Sequence, residues 1–216
     1  IAIYESTLRD GAQAQGISYS VEDKVKIVER LDALGVHYIE AGNPGSNPKD
    51  LEFFERVRGL KLKNAKLIAF GATRKIGIKP EDDGNVRSIL AASTSAVAIF
   101  GKSWDYQVTE ILRTQLDENL RMIGDTLRYL KQQGKEVVYD AEHFFDGFKA
   151  NPDYALATLR AAADAGADCL CLCDTNGGTF PNDIFAITQK VAGQFKTPLG
   201  IHCHNDCEMA VANSVM

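Results

Sequence analysis

The stretch DCLCLCDT, residues 168–175, identifies the fold of this chain because it is a short apolar run between two helical patterns. The alanine-rich residues 152–165 precede it and end at Gly166, and residues 181–195 follow it and begin with Pro181. Proline in a first turn and glycine after a last turn are typical of helix boundaries. A strand placed between two helices indicates one β–α unit of a parallel sheet.

The same alternation runs along the whole chain, in about seven units at a spacing of roughly 30 residues. The predicted strands are residues 2–7, 36–42, 65–73, 96–101, 135–142, 168–175 and 198–204. The predicted helices are residues 20–34, 48–58, 81–92, 107–133, 152–165, 181–195 and 206–216. Two architectures satisfy parallel strands joined by right-handed crossovers, an open doubly wound sheet and a closed (β/α)8 barrel.

The first turn lacks the GxGxxG pattern of dinucleotide-binding open sheets, which favours the barrel. We therefore predict an α/β fold of the TIM (β/α)8 type, with one catalytic domain over residues 1–216. We expect this domain to be incomplete, because only about seven of the eight units are recognisable. No linker, low-complexity tract or second domain is recognisable.

The composition excludes several classes of protein. The 216 residues are 45% hydrophobic and 25% charged, with a net charge of −5. No basic patch suits nucleic acid, and no apolar run reaches the roughly 18 residues of a membrane span. Three of the five cysteines, Cys169, Cys171 and Cys173, alternate with leucines, which favours strand packing over metal or redox chemistry. We expect no nucleic-acid or membrane partner, and the unpaired cysteines favour the cytoplasm.

Polar residues follow every predicted strand. In a (β/α)8 barrel the chemistry lies at these carboxyl ends. The polar residues there are Arg9, Asp10, Gln13, Glu40, Thr73, Arg74, Lys102, Ser103, Asp140, Glu142, His143, Asp174, Thr175, Asn176, His202, His204, Asn205 and Asp206. Since all carboxyl ends meet at one end of a barrel, the sequence predicts a polar site there.

His202 and His204 flank one residue, so on a strand both imidazoles point to the same side. Such a pair alone is weak support for a metal, because histidine pairs also occur in cores and at rims. Asp10 follows the first strand, which in a closed barrel is separated from the seventh by only one strand. The three side chains then form an N,N,O set for a divalent cation, Mn²⁺, Mg²⁺, Zn²⁺ or Co²⁺.

Three further strand-end residues have a structural and a chemical interpretation each. Arg9 is permanently charged, and either forms an ion pair with Glu40 or Glu5 or stabilises a developing enolate or alkoxide oxygen. Thr175 either caps its loop or binds a small carboxylate. Glu142 is either a solvated strand-end acid or a general acid/base and substrate anchor.

Four motifs resemble a known family. The stretches STLRDGAQ (6–13), YIEAGNP (38–44), LCDTNGG (172–178) and GIHCHND (200–206) resemble the TIM-barrel, metal-dependent acyl-CoA-condensing enzymes. These include 2-isopropylmalate, homocitrate and citramalate synthases and the related hydroxymethylglutaryl-CoA lyases. The stretches IFGKSWD (99–105) and YDAEHFFDG (139–147) look most like the citramalate synthase branch.

The resemblance implies an acyltransferase that condenses acetyl-CoA with a small 2-keto acid, above all pyruvate giving citramalate, in branched-chain amino-acid biosynthesis. The alternatives are a 2-isopropylmalate or homocitrate synthase, a hydroxymethylglutaryl-CoA-type lyase and, in a different class, a non-catalytic fragment that binds small acids. The resemblance also implies a homodimer for the full-length protein.

The resemblance assigns roles to the residues of these motifs. Asp10, His202 and His204 would bind the divalent metal, Arg9 would polarise the keto oxygen or stabilise the enolate, and Glu142 would serve acid/base work. The substrate-binding residues would be Gln13, Glu40, Asp140 and Thr175.

The same resemblance implies parts beyond Met216. A further asparagine ligand would follow the eighth strand, and a regulatory domain would follow the barrel.

Phe70, Phe100 and Phe144 are expected to line the pocket and restrict the keto-acid side chain to a methyl group.

Overall fold

The computed structural model describes residues 1–216, and its centre is a sheet of seven parallel strands in sequence order. The strands are β1 Tyr4–Glu5, β2 Tyr38–Gly42, β3 Lys66–Ala72, β4 Ala96–Lys102, β5 Glu136–Glu142, β6 Cys169–Asp174 and β7 Leu199–Cys203. Each strand pairs with the next in parallel, so the predicted α/β fold of the TIM-barrel type is confirmed.

Helices connect the strands. They are α1 Val21–Leu34, α2 Pro48–Arg56, α3 Gly84–Ala91, α4 Leu116–Gln132, α5 Phe144–Ala150, α6 Pro152–Asp164, α7 Pro181–Ala192 and α8 Ala210–Val215. The first shows how locally these boundaries are set. The Ser20 side chain accepts from the Asp23 amide and the Asp23 side chain accepts from the Ser20 amide, which is a complete capping box. The helix ends at Gly35 with a left-handed φ of 88°.

The two faces of the sheet pack differently. Side chains that point to the helices form the main core, including Ile39, Val97 and Leu170. Side chains on the concave face form a smaller apolar cluster of Ile68, Ala96, Ala98 and Val138, with Tyr38, Phe70, Cys169 and Cys171 packed against it. All five cysteines are free, and the alternating ones pack within the sheet as expected. None of the helices is both long and apolar enough to cross a membrane.

A hydrogen-bonded cluster occupies the amino end of the sheet. Both the Tyr38 hydroxyl and the Lys66 ammonium donate to Glu136 at 2.5 Å, one to each carboxylate oxygen. The hydrogen bond to Glu136, together with burial, raises the pKa of Tyr38 to about 12. These contacts join β2, β3 and β5.

Two elements predicted from the sequence differ clearly from the structure. The first strand is only Tyr4–Glu5 rather than residues 2–7. The helix predicted at 107–133 is interrupted, because Gln107–Ile111 is a π-helical turn and α4 starts at Leu116. Between them, Arg113 adopts a φ of 55°, and the Thr114 amide donates to the Val108 carbonyl at 3.2 Å, as in a helix C-terminal cap.

Helix α5 was not predicted at all. Its sequence is short and contains Gly147, which disfavours helix. The glycine is required by packing, because a Cβ there would lie 2.4 Å from the Ser103 carbonyl oxygen. The close approach of α5 to the loop after β4 therefore outweighs local preference.

A candidate metal and substrate site at the carboxyl ends of the strands

Asp10, His202 and His204 meet across the two edges of the sheet. Asp10 follows β1, and the histidines lie at the end of β7. The Asp10 Oδ2 atom is 3.1 Å from His202 Nε2 and 3.3 Å from His204 Nε2. Two donors held at about 2.1 Å in adjacent positions of an octahedral ion lie about 3.0 Å apart. The spacing therefore fits a divalent cation, although the metal role of these residues stays a prediction.

The electrostatics of this cluster favour positive charge. Hydrogen bonding to Asp10 raises the pKa of His202 to about 9, against the opposing effect of burial. The same partner raises the pKa of His204. Hydrogen bonds from His202 and His204 hold the pKa of Asp10 well below its usual range. All three shifts have one cause, because the Asp10 carboxylate stabilises positive charge on the two imidazoles that it contacts.

A glycine turn holds the histidine segment in place. Gly177 adopts a φ of 62°, and a Cβ there would lie 2.9 Å from the His204 carbonyl oxygen and 3.0 Å from the Asp206 amide. The His204 amide donates to the Asp174 carbonyl at 3.2 Å. The turn after β6 thus supports the segment that follows β7, and only glycine fits this close approach.

Arg9 is fixed by a buried carboxylate. Its Nε donates to Glu40, which is fully buried on β2 and also accepts from the Tyr4 hydroxyl at 2.5 Å. Its NH1 donates to Asp10 at 3.1 Å and to Gln13 at 3.3 Å. Burial disfavours the charged guanidinium, but Glu40 and Asp10 outweigh that effect and raise the pKa of Arg9. The ion pair predicted between Arg9 and Glu40 is present.

Two phenylalanines form a wall beside Arg9. The Phe70 and Phe100 rings stack with centroids 5.2 Å apart at 16°, and the Arg9 Cζ lies 3.8 Å from the Phe70 centroid. The expectation that Phe144 joins this wall is wrong. Phe144 is fully buried in the core between the sheet and the helices and packs against Phe148. It starts α5, so its side chain turns away from the sheet's concave face.

Glu142 is the last residue of β5, and Thr175 directly follows the neighbouring strand β6. The Thr175 Oγ1 accepts from the His143 amide at 2.8 Å, which leaves its hydroxyl proton free to donate. His143 adopts a left-handed φ of 55° at this point. The Glu142 Oε2 accepts from the Lys102 ammonium at 2.5 Å. Asp140 is 6% exposed, and burial, followed by the nearby Glu40 charge, raises its pKa to about 7.

These groups surround one cavity of about 340 Å³, a volume typical of small-molecule sites. All the residues assigned from the sequence to metal binding, catalysis or substrate binding line it except Glu40, which lies behind Arg9. Asn43 and Cys173 also line it and were not predicted. Their positions in the sequence are the signal that could have identified them, because Asn43 directly follows β2 and Cys173 lies on the concave side of β6.

Other polar strand-end residues serve the structure instead. Asp174 accepts from the Thr179 hydroxyl at 2.9 Å. Arg74 forms ion pairs with Glu118 and Asp125, both at 2.9 Å, and so ties the loop after β3 to α4. Asp174 and Arg74 therefore make structural contacts, and neither of them lines the cavity.

The fold and this site define an α/β protein of the TIM-barrel type with a candidate divalent-metal centre at the carboxyl ends of its strands. The chain belongs to the HMGL-like family, which matches residues 1–216. Among solved structures, the hydroxymethylglutaryl-CoA lyase of Bacillus subtilis superposes with a TM-score of 0.81 at 17% identity, over 100% of this chain and 72% of that one. That likeness supports the fold alone.

Curated sequences are more similar. The (R)-citramalate synthase of Geobacter sulfurreducens is 54% identical over 215 residues, and that of Aquifex aeolicus is 55% identical over 217 residues. Each alignment covers 100% of this chain and 41% of the relative. The chain thus spans about two fifths of the length of these relatives.

Proposed function

We propose that the full-length protein is a metal-dependent acyltransferase that condenses acetyl-CoA with pyruvate to give citramalate, in branched-chain amino-acid biosynthesis. The observation that carries the proposal is the convergence of Asp10, His202, His204, Arg9 and Thr175 on one cavity. More than half of the aligned residues are identical to those of the two (R)-citramalate synthases, which supports this reaction within the family.

The metal would be held by Asp10, His202 and His204. Their donor atoms already stand at the spacing of adjacent ligands, and the donors suit Mn²⁺, Mg²⁺, Zn²⁺ or Co²⁺. Such a cation supplies Lewis-acid polarisation of a keto oxygen. The asparagine ligand implied by the family resemblance belongs to the same proposal.

Three hydrogen-bond donors, one neutral, one cationic and one acidic, would bind the 2-keto acid. The free hydroxyl proton of Thr175 donates to the carboxylate. The Arg9 guanidinium, oriented by Glu40 and Gln13, donates to the keto oxygen and stabilises the negative charge that develops on it. Burial raises the pKa of Asp140 to about 7, so its protonated fraction near neutral pH would donate a hydrogen bond to a substrate oxygen.

The aromatic wall would set the size of the substrate. Phe70 and Phe100 leave room beside Arg9 for a methyl group and oppose a branched side chain. A single methylene in such a pocket changes specificity by about 10- to 200-fold. This is the feature that favours pyruvate over the precursor of 2-isopropylmalate.

Glu142 would be the base. It takes a proton from the methyl group of acetyl-CoA, and the resulting carbanion adds to the keto carbon of pyruvate. The new alkoxide is stabilised by Arg9 and then protonated. Water hydrolyses the thioester and releases CoA as a free thiol.

Acetyl-CoA would reach the site through a second cavity. This cavity, of about 280 Å³, shares Arg9, Gln13 and Phe70 with the first one and extends to Lys49 at the start of α2. Its position beside the keto-acid site would bring a thioester close to Arg9.

The proposal is tested with the full-length protein, Mn²⁺ and acetyl-CoA, by measuring thiol release with a panel of 2-keto acids. We expect pyruvate to give the highest kcat/KM, and no thiol release without a keto acid. Preference for a branched keto acid would favour 2-isopropylmalate synthase instead. The Asp10→Asn variant is the matched inactive control.

Two alternatives give different results in the same assay. A lyase would cleave hydroxymethylglutaryl-CoA and release no thiol from acetyl-CoA and pyruvate. A non-catalytic binding protein would bind pyruvate with Mn²⁺ in calorimetry and show no turnover.

The remaining expectations for the whole protein rest on the sequence and the family resemblance. We propose that residues 1–216 lie in the catalytic barrel, that an eighth unit and a regulatory domain complete the protein, and that it forms a homodimer in the cytoplasm. Light scattering of the full-length protein measures the oligomeric state directly.

A further inference from the structure

Lys102 and Glu142 form an ion pair at the rim of the site. They are register partners on the neighbouring strands β4 and β5, so their side chains lie on the same face of the sheet. The Lys102 Nζ is 2.5 Å from the Glu142 Oε2, and the two side chains are only 16% and 24% exposed. A partly buried pair held by two strands has less freedom than a surface pair.

The ammonium of Lys102 lies behind Glu142 rather than in the main cavity. Glu142 lines the cavity that holds the predicted metal and keto-acid groups. Lys102 instead lines a neighbouring, mostly apolar cavity of about 240 Å³, and Phe100 separates the two. The Lys102 Nζ is 5.8 Å from the centroid of the Phe100 ring, within cation–π range.

The pair leaves Glu142 with one free oxygen. Its Oε2 accepts from Lys102, and its side chain makes no other hydrogen bond in the structure. The remaining Oε1 is therefore the atom available to a substrate.

We infer that Lys102 is a positioning residue, which holds the Glu142 carboxylate in place and directs its free oxygen into the cavity. This inference rests on the proposed function, in which Glu142 is the base. It gives a role to Lys102 of the GKSW segment (101–104), which the sequence analysis places at a strand end without a function.

The molecule contains a matched control. Lys66 and Glu136 form a pair with the same 2.5 Å separation at the opposite end of the sheet, where Tyr38 takes the second oxygen. The Lys66→Met substitution removes the same type of ion pair, but neither Lys66 nor Glu136 lines the cavity. Lys66→Met therefore measures the purely structural effect.

The test is a double-mutant cycle on the full-length protein with Lys102→Met, Glu142→Gln and the combined variant. We expect Lys102→Met to lower kcat by roughly 10- to 100-fold, as for other residues that orient a reactive group, with little change in the KM for the keto acid. In the Glu142→Gln background the same substitution should cost almost nothing further. Lys102→Arg should recover part of kcat, and Lys66→Met should leave kcat unchanged.

Two results would overturn the inference. Fully additive losses would mean that Lys102 acts on the substrate itself, and an unchanged kcat in Lys102→Met would mean that it has no part in the reaction. If another keto acid proves to be the substrate, the cycle is run with that acid. That outcome would refute pyruvate as the substrate, and the cycle would still test the role of Lys102.

A crystal structure of Lys102→Met gives a readout that does not depend on turnover. We expect the Glu142 carboxylate to leave its position or to become mobile. An unmoved, well-ordered carboxylate would contradict the inference even if no keto acid is turned over at all.

Discussion

The two ends of strand β5 carry the same type of ion pair in different surroundings. At the amino end, Glu136 has both oxygens engaged, one by Lys66 and one by Tyr38. At the carboxyl end, Glu142 has one oxygen engaged by Lys102 and the other free beside a cavity. A fully engaged pair stabilises the fold, whereas a half-engaged pair retains an acceptor for chemistry.

The comparison extends beyond these two glutamates. The amino-end cluster is open to solvent, since the Lys66 and Glu136 side chains are 52% and 27% exposed, while the carboxyl end gathers the carboxyl groups of Asp10, Asp140 and Glu142 around a cavity with Arg9. Grouping like charges in this way costs stability unless cations are present. The carboxyl end is therefore where a ligand or a metal gains most.

The largest expected effect comes from removing a predicted ligand. His202→Ala takes one donor from the Asp10–His204 cluster, so Mn²⁺ binding in calorimetry and thiol release should both fall by more than about 100-fold, beyond the loss typical of outer-shell partners. Lys66→Met at the amino end is the control and should keep both. Retained metal affinity in His202→Ala would show that the ion binds elsewhere.

The next largest effect is expected from the close contact between Gly177 and the His204 backbone, which supports the predicted metal site. Gly177→Ala forces a side chain into a φ of 62° and against the His204 carbonyl, so we expect metal affinity to fall by roughly 10- to 100-fold. Gly134→Ala is matched, because its φ of 73° is similarly unfavourable but its Cβ would meet nothing within 4 Å. It should lose stability in thermal unfolding and keep its metal affinity. Equal affinity losses in both would rule out a specific contact.

A smaller effect concerns the aromatic wall. Phe100→Ala enlarges the cavity beside Arg9, so the ratio of kcat/KM for 2-ketobutyrate to that for pyruvate should rise by about tenfold. The keto-acid panel measures this ratio. Phe144→Leu, in the core behind the sheet, is expected to leave the ratio unchanged. A constant ratio in Phe100→Ala would place the side-chain pocket elsewhere.

The smallest effect belongs to the amino end. Tyr38→Phe removes a hydrogen bond to Glu136 and should lower the free energy of unfolding by about 1 kcal/mol near neutral pH, with kcat and KM unchanged. Because the fold raises the pKa of Tyr38 from its model-peptide value of 10.0 to about 12, the unfolded chain loses this proton first. The stabilisation is complete below pH 10 and is lost as the pH rises towards 12.

Chemical denaturation of the wild type and Tyr38→Phe between pH 8 and 12 checks the sign. The difference in unfolding free energy between the two proteins should shrink as the pH rises through this window. A difference that grows with pH would mean that the fold stabilises the tyrosinate instead.

Much of this architecture follows from local sequence. Ser20, Asp23 and Gly35 set the limits of α1 by hydrogen bonds and backbone conformation within a few residues. The polar strand ends predicted one site because parallel strands bring their carboxyl ends together. The proximity of Asp10 to His202 followed from the same topology, although 192 positions separate them.

Other features depend on packing between distant segments. Helix α5 forms although it contains Gly147, because its backbone fits against Ser103. Phe144 looked like a pocket residue, and only the start of α5 turns it into the core. The partner of Glu142 depends on the register of β4 and β5, which periodicity alone does not reveal.

The Asp10–His202 contact joins the segment after β1 to β7, the first and last strands of the seven in the sheet. A cation bound there would close a loop of nearly the whole chain, because Asp10 and His202 are 192 positions apart. By linkage, occupancy of the site adds to global stability, and the gain grows with the free metal concentration. Amide hydrogen exchange in β1 and β7 would therefore slow together on metal addition, so the proposed ion would stabilise the fold as well as take part in the proposed reaction.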